Sequence, residues 1–170
     1  MELPDQVLFE NNWVTVIDRG GWTVVRDMNG LGVALLPYQF RGTNLWYLAR
    51  MEPCPSHGPL ILPSCITGGL DEGETPEQCA VRELKEEAGY KVTQDQLIPL
   101  GEVWPSKLVE LRVFMYAINV TGMAQTPPKG DGSVYEALAE NAWYDAKQAL
   151  AVPDAVWGTM ILRLRDKLGL

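Results

Sequence analysis

The chain is short of histidine, of paired cysteines and of basic residues, and it has no uninterrupted run of 18 apolar residues. Its three cysteines (Cys54, Cys65, Cys79) are odd in number and show no CxxC spacing. They read as reduced thiols rather than a disulfide frame or a zinc site, which makes a cytoplasmic location the expectation. Without a long apolar run no membrane-spanning helix is expected. The first residues, Met1-Glu2-Leu3-Pro4-Asp5, are acidic and lack the basic end and apolar middle of a signal peptide. Only 14 bases stand against 22 acids, a net charge of −8. A nucleic-acid or anionic-membrane binder needs a basic face, so neither partner is expected. An anionic substrate stays open, because a metal ion can bridge carboxylate to phosphate.

What is present is an ordinary globular composition. At 170 residues and 46% apolar content, the chain can bury a core without staples and makes one domain or a small domain with an appendage. Residues 7–18 and 22–27 read as strands joined at Arg19-Gly20-Gly21, an N-terminal hairpin. Residues 31–38 and 44–50 form a second strand pair. The Pro-rich stretch 51–60 is a loop, and 61–67 a short apolar strand. Strands follow near 98–104, 109–120 and 141–145. The stretch 121–133, with Pro127-Pro128, is a loop. The clearest helix is 76–88: Thr75 is the N-cap, Pro76 the first helical residue, Gln78 completes a capping box and Gly89 supplies the stop. A last helix over 153–168 carries the stripe Trp157, Met160, Ile161, Leu164 and Leu168, read as plain core. The expected class is α+β with a mixed sheet.

Helix 76–88 carries Arg82-Glu83-Leu84-Lys85-Glu86-Glu87. Glu83, Glu86 and Glu87 are spaced i, i+3, i+4 and share one helix face, where like charges repel. A glycine-rich run, Gly68-Gly69-Leu70-Asp71-Glu72-Gly73-Glu74, feeds the same helix. Glycines permit close backbone approach to a ligand. Clustered carboxylates want a hard divalent cation, which shares such sites with substrate phosphates. Loop, helix and carboxylates together describe a Mg²⁺-diphosphate site. Residues 68–90 hold seven acids against Arg82 and Lys85, so they contribute −5 of the chain's −8.

Segment 68–90 resembles the Nudix box, G-x5-E-x7-R-E-U-x-E-E-x-G-U, through Gly68, Glu74, Arg82, Glu83, Leu84, Glu86, Glu87, Gly89 and Tyr90. All seven fixed letters match; Tyr90 departs from the usual aliphatic last position. The resemblance implies an α+β Nudix-type αβα sandwich with a mixed β-sheet and an N-terminal β-hairpin. It divides the chain into an N-terminal hairpin at 1–30, a candidate dimer-exchange element, and a hydrolase domain at 31–170. It implies hydrolysis of a nucleoside diphosphate linked to another moiety. Glu83 and Glu87 would hold Mg²⁺ (or Mn²⁺), with Glu86 as a further ligand or water-activating group and the Gly68 carbonyl completing the sphere. Arg82 would pair with Glu74 and orient the carboxylates.

Flanking residues bear on the substrate. Pro105, 16 positions after Gly89, with Ser106, Glu110 and Phe114, resembles the P-S…E…F pattern of the ADP-ribose pyrophosphatase branch. Residues 7–16 resemble that branch's N-terminal hairpin, which implies a homodimer. The run before the box, Ser64-Cys65-Ile66-Thr67-Gly68, differs from the branch's Glu-Leu-Pro-Ala-Gly. The branch implies a late-loop general base, for which Glu136 is chosen over Glu140. Arg50, Pro105, Glu110 and Trp13 are the candidate substrate contacts, with Trp104 a second candidate for stacking on a base. Arg50 and His57 also read simply as surface residues. The leading expectation is an Mg²⁺-dependent pyrophosphatase acting on ADP-ribose or a related nucleotide sugar, giving a nucleoside monophosphate and a sugar phosphate. A house-cleaning nucleoside triphosphate pyrophosphatase is the alternative within hydrolases, and a nucleotide-sensing Nudix domain without catalysis is the alternative outside them.

Overall fold

The computed structural model describes residues 4–58, 60–129 and 138–170. In chain order the strands are β1 (Gln6–Glu10), β2 (Val14–Arg19), β3 (Trp22–Arg41), β4 (Asn44–Pro53), β5 (Ile61–Ser64) and β6 (Ile66–Gly69). Helix α1 (Pro76–Ala88) follows, then β7 (Ile98–Val103), β8 (Val109–Asn119), β9 (Glu140–Asp145), α2 (Ala146–Leu150) and α3 (Ala155–Leu168). The nine strands among the described residues belong to one mixed sheet.

The 20-residue β3 is its spine. Along one edge β3 pairs parallel with β8; along the other it pairs antiparallel with β2, β6 and β4 in turn. β4 then diverges, with β9 on one side and β5 on the other. Side chains of a strand alternate between faces, and β3 uses both. Val33 and Leu35 pack with Ile66, Leu84 and Ala88 beneath α1, while Ala34, Leu36 and Tyr38 pack with Trp157, Met160, Ile161 and Leu164 of α3. Helix, sheet and helix are therefore stacked in three layers, the αβα arrangement expected.

Three elements differ from the sequence reading. Residues 7–18 are two strands rather than one, because the Asn11 side chain accepts from the amides of Trp13 and Val14 at 2.8 Å each and folds a turn between them. The separate strands expected at 22–27 and 31–38 are one, interrupted in its pairing with β8 between Arg26 and Leu31. The division at residues 30 and 31 thus falls inside β3. The helix expected at 153–168 is α3, capped by Asp154 through the Trp157 amide, and a short α2 that was not expected precedes it, capped by Asp145 through the Gln148 amide. Helix α1 runs over 76–88 with its reciprocal Thr75–Gln78 capping box, as the sequence indicates.

Candidate active site

The site is built where α1 meets β6. Cys79, Ala80, Leu84 and Ala88 turn α1 toward the sheet, and this rotation carries Glu83 and Glu87 to the same buried side, 8% and 6% exposed. Glu86, one position over, is more open. At Gly68 in β6, an added Cβ would lie 2.0 Å from Glu83 Oε1 and 2.3 Å from Glu83 Cδ. No residue but glycine leaves this cradle, and the Glu83 carboxylate fills it.

Arg82 organises the carboxylates. Its Nε and Nη2 donate to the two oxygens of Glu74 at 3.0 and 2.9 Å, a bidentate pair. Nη1 donates to Glu83 Oε1 at 2.7 Å and to Glu86 Oε2 at 3.4 Å, and Nη2 also donates to the Gly69 carbonyl at 3.1 Å. The guanidinium beside it holds Glu74 below the usual carboxylate range, and Glu74 in turn raises Arg82. Burial pushes the neighbouring Cys79 thiol up to about 12, so Cys79 is packing rather than a nucleophile.

The C-terminal end of α1 is held as firmly. The Glu86 carbonyl accepts from the Lys129 amide at 3.1 Å, and the Ala88 carbonyl from Gln125 Nε2 at 2.9 Å. Gly89 closes the helix at φ 71°, and its carbonyl accepts from the amide and the hydroxyl of Thr126 at 2.9 Å each. The Glu87 carbonyl accepts from Arg50 Nη1 at 3.1 Å and from Asn141 Nδ2 at 2.7 Å.

The other expected residues are placed as follows. Arg50, read as a substrate contact or surface charge, is not a surface charge: it is 3% exposed, with Nε 3.4 Å from carboxylate oxygens of both Glu52 and Glu87. Pro105 lines a cavity of about 310 Å³ together with Gly68, Gly69, Thr67 and Asp27. Glu110 is engaged by two guanidiniums, Arg26 at 3.0 Å and Arg19 at 3.3 Å, and so ties the N-terminal strands to β8. Trp13 is 68% exposed in the turn between β1 and β2, and the exposed Trp104 lies with Arg112 5.8 Å over its ring. Glu136 lies outside the described residues. Asn141, Glu52, Ser64, Gln125 and Thr126 were not singled out from sequence; only strand register and loop docking bring them to α1.

The donor set suits a hard divalent cation: buried carboxylates one turn apart, a third beside them and a backbone edge at Gly68. Among the described residues, no group of three Asp, Glu, His or Cys side chains is arranged to hold a metal ion, since Glu83 is turned onto Arg82. The residue types and the Gly68 cradle fit such an ion; the present rotamers serve Arg82.

The NUDIX domain family profile matches residues 28–162. The chain belongs to the Nudix family. An uncharacterised Nudix hydrolase, orf19 of Rhodococcus erythropolis, is 31% identical over 104 residues, covering 55% of this chain and 52% of that protein. An octanoyltransferase of Myxococcus xanthus is 38% identical over 93 residues, covering 50% of this chain and 23% of that protein. The chain thus spans about half, or less, of the length of these two relatives. Among solved structures, the fold matches a C. elegans Ap4A hydrolase binary complex at TM-score 0.60 and 18% identity, covering 81% of this chain and 98% of that one. It also matches the NUDIX domain of Shewanella oneidensis NrtR complexed with ADP ribose, at TM-score 0.62 and 19% identity, covering 81% and 87%. These likenesses establish the Nudix α+β fold. No helix among the described residues is long and apolar enough to cross a membrane.

Proposed function

We propose that this Nudix protein is a divalent-metal pyrophosphatase acting on ADP-ribose or a related nucleotide sugar, releasing a nucleoside monophosphate and a sugar phosphate. The observation that supports the substrate reading is a cavity that Gly68 of the box and Pro105 of the branch pattern both line; its other walls come from β3, β8 and the start of α3, and the box carboxylates are not among its lining residues. A substrate lying there would have its diphosphate beside β6 and its remainder along the 104–106 loop. A nucleotide complex of the same fold, the Shewanella domain with ADP ribose, is consistent with this chemistry.

In this reading Glu83 and Glu87 hold Mg²⁺ or Mn²⁺, with Glu86 and the Gly68 carbonyl beside them. The ion, when bound, neutralises diphosphate charge and acidifies a water. Arg82, paired with Glu74, keeps Glu83 and Glu86 aimed. Glu136 is proposed as the general base. Trp13 belongs to an N-terminal element, residues 1–30, which Glu110 of β8 tethers through Arg19 and Arg26 and which we propose meets a second copy. Supporting this, β1 is an edge strand with Val7, Leu8 and Phe9 more than half exposed. A cytoplasmic site of action is proposed with it; all three cysteines are free thiols.

The test is product analysis. ADP-ribose with Mg²⁺ should yield AMP and ribose 5-phosphate, and absence of AMP removes the substrate assignment. Light scattering at the mass of an 18.9 kDa monomer would remove the dimer.

A further inference from the structure

We infer that Arg50 and Asn141 are positioning residues for Glu87, acting through the last turn of α1; this rests on the reading of Glu87 as a cation ligand. Helix C-termini leave carbonyls without intrahelical partners. Here the Glu87 carbonyl receives two side-chain donors, Arg50 Nη1 at 3.1 Å and Asn141 Nδ2 at 2.7 Å. The two donors are cross-strand neighbours: Arg50 of β4 pairs with Asn141 of β9 on one side and with Ser64 of β5 on the other. A single row across three strands therefore forms a polar ledge under the helix end.

The ledge is itself braced. Ser64 Oγ donates to Glu52 Oε1 at 3.0 Å, and the other oxygen of Glu52 lies 3.4 Å from Arg50 Nε. Arg50 is thus fixed between Glu52 and Glu87, and at 3% exposure it is walled off from any ligand in solution. A guanidinium at a helix C-terminus is also favoured by the helix dipole. Because a side chain's direction follows its backbone, fixing the Glu87 carbonyl fixes where its carboxylate starts from. Asn141 does this without charge, so its removal changes geometry and leaves the local field nearly unaltered.

The experiment compares wild type, Asn141→Ala and Arg50→Lys in three measurements. These are Mn²⁺ binding by electron paramagnetic resonance, hydrogen exchange of the Gly89 and Tyr90 amides, and KM and kcat for ADP-ribose. Losing one charge-free hydrogen bond to this carbonyl should speed exchange and weaken Mn²⁺ each by about five- to tenfold in Asn141→Ala. In Arg50→Lys, kcat should fall more than KM rises. Wild-type exchange and Mn²⁺ affinity in Asn141→Ala overturn the inference. So does an Arg50→Lys variant with raised KM alone, which would make Arg50 a substrate contact. If wild type itself binds no Mn²⁺, the cation reading of Glu87 fails instead, whatever the exchange data show.

Discussion

Gly68→Ala is the sharpest perturbation of the site, because its consequence follows from distances alone. The new methyl would sit 2.0, 2.3 and 2.4 Å from Glu83 Oε1, Cδ and Cγ. Ordinary contact begins near 3.4 Å, so the carboxylate must retreat by about 1.4 Å. Strand β6 cannot move instead without disturbing its pairing, since Gly68 lies opposite Val33 in the sheet's spine. Glu83 must then leave both the cradle and its 2.7 Å bond with Arg82. Overpacking of this kind costs about 1–3 kcal/mol, a fall in Tm of about 2–12 °C for a chain of this size. Divalent binding should weaken with it.

The control is Glu83→Ala, which removes all three clashing atoms. In the double variant, Gly68→Ala should add less than about 0.5 kcal/mol to the effect of Glu83→Ala. Denaturant unfolding of the four proteins measures the coupling directly. If the two single effects simply add, the methyl does not meet the carboxylate, and the account of Gly68 as a cradle is refuted.

Arg82→Lys keeps the charge but loses the bidentate grip on Glu74, and should cost about 1.5–3 kcal/mol at neutral pH. Glu74 is depressed in the folded state, so its contribution is present above the ordinary value of 4.5 and lost as pH falls through the folded one; urea midpoints between pH 3 and 7 should fall less steeply with acid in the lysine variant. Tyr116 donates its hydroxyl to Glu77 Oε1 at 2.8 Å and holds that carboxylate below its usual range. In Tyr116→Phe, NMR titration should place Glu77 higher, with about 0.5–1.5 kcal/mol of stability lost above its folded pKa. Burial raises the Cys65 and Cys79 thiols, whereas Cys54 is only half-buried. A thiol reagent at pH 8 should therefore label Cys54 alone in the folded protein, and rapid labelling of a second thiol would contradict the packing around α1.

Helix α1 was legible in the sequence to the residue because its ends are set by local chemistry: Thr75 and Gln78 bond to each other's amides, and Gly89 adopts the left-handed turn. The box carboxylates were legible because their spacing puts them on one face. Arg50 was misread because its meaning is not local. It stands at the end of a strand beside a loop, which in sequence suggests solvent, yet β5 and β9 close over both sides of β4 there. Register between strands far apart in the chain decides this, and nothing in residues 46–52 records it. Asn141 was passed over for the same reason, as a polar residue starting an unremarkable strand. Glu110 carried a pattern from the branch but sits between Arg19 and Arg26, partners 91 and 84 residues away.

The electrostatics of the site follow from how those two arginines share the work. Three like charges on one helix face repel, and the repulsion has to be offset from outside that face. Arg82 answers Glu74, Glu83 and Glu86 from within the helix, and Arg50 answers Glu52 and Glu87 from the sheet. Arg82 also lies 3.8 Å from Asp71, so two guanidiniums face six carboxylates. A lysine could not replace either, since each guanidinium reaches separate acceptors from separate nitrogens. The deepest of these carboxylates are Glu83 and Glu87, 8% and 6% exposed. Carboxylates that outnumber their guanidiniums in so buried a place would gain from a divalent cation. Most of the chain's excess of acids, −5 of −8, therefore lies in residues 68–90, which carry all of these carboxylates but Glu52.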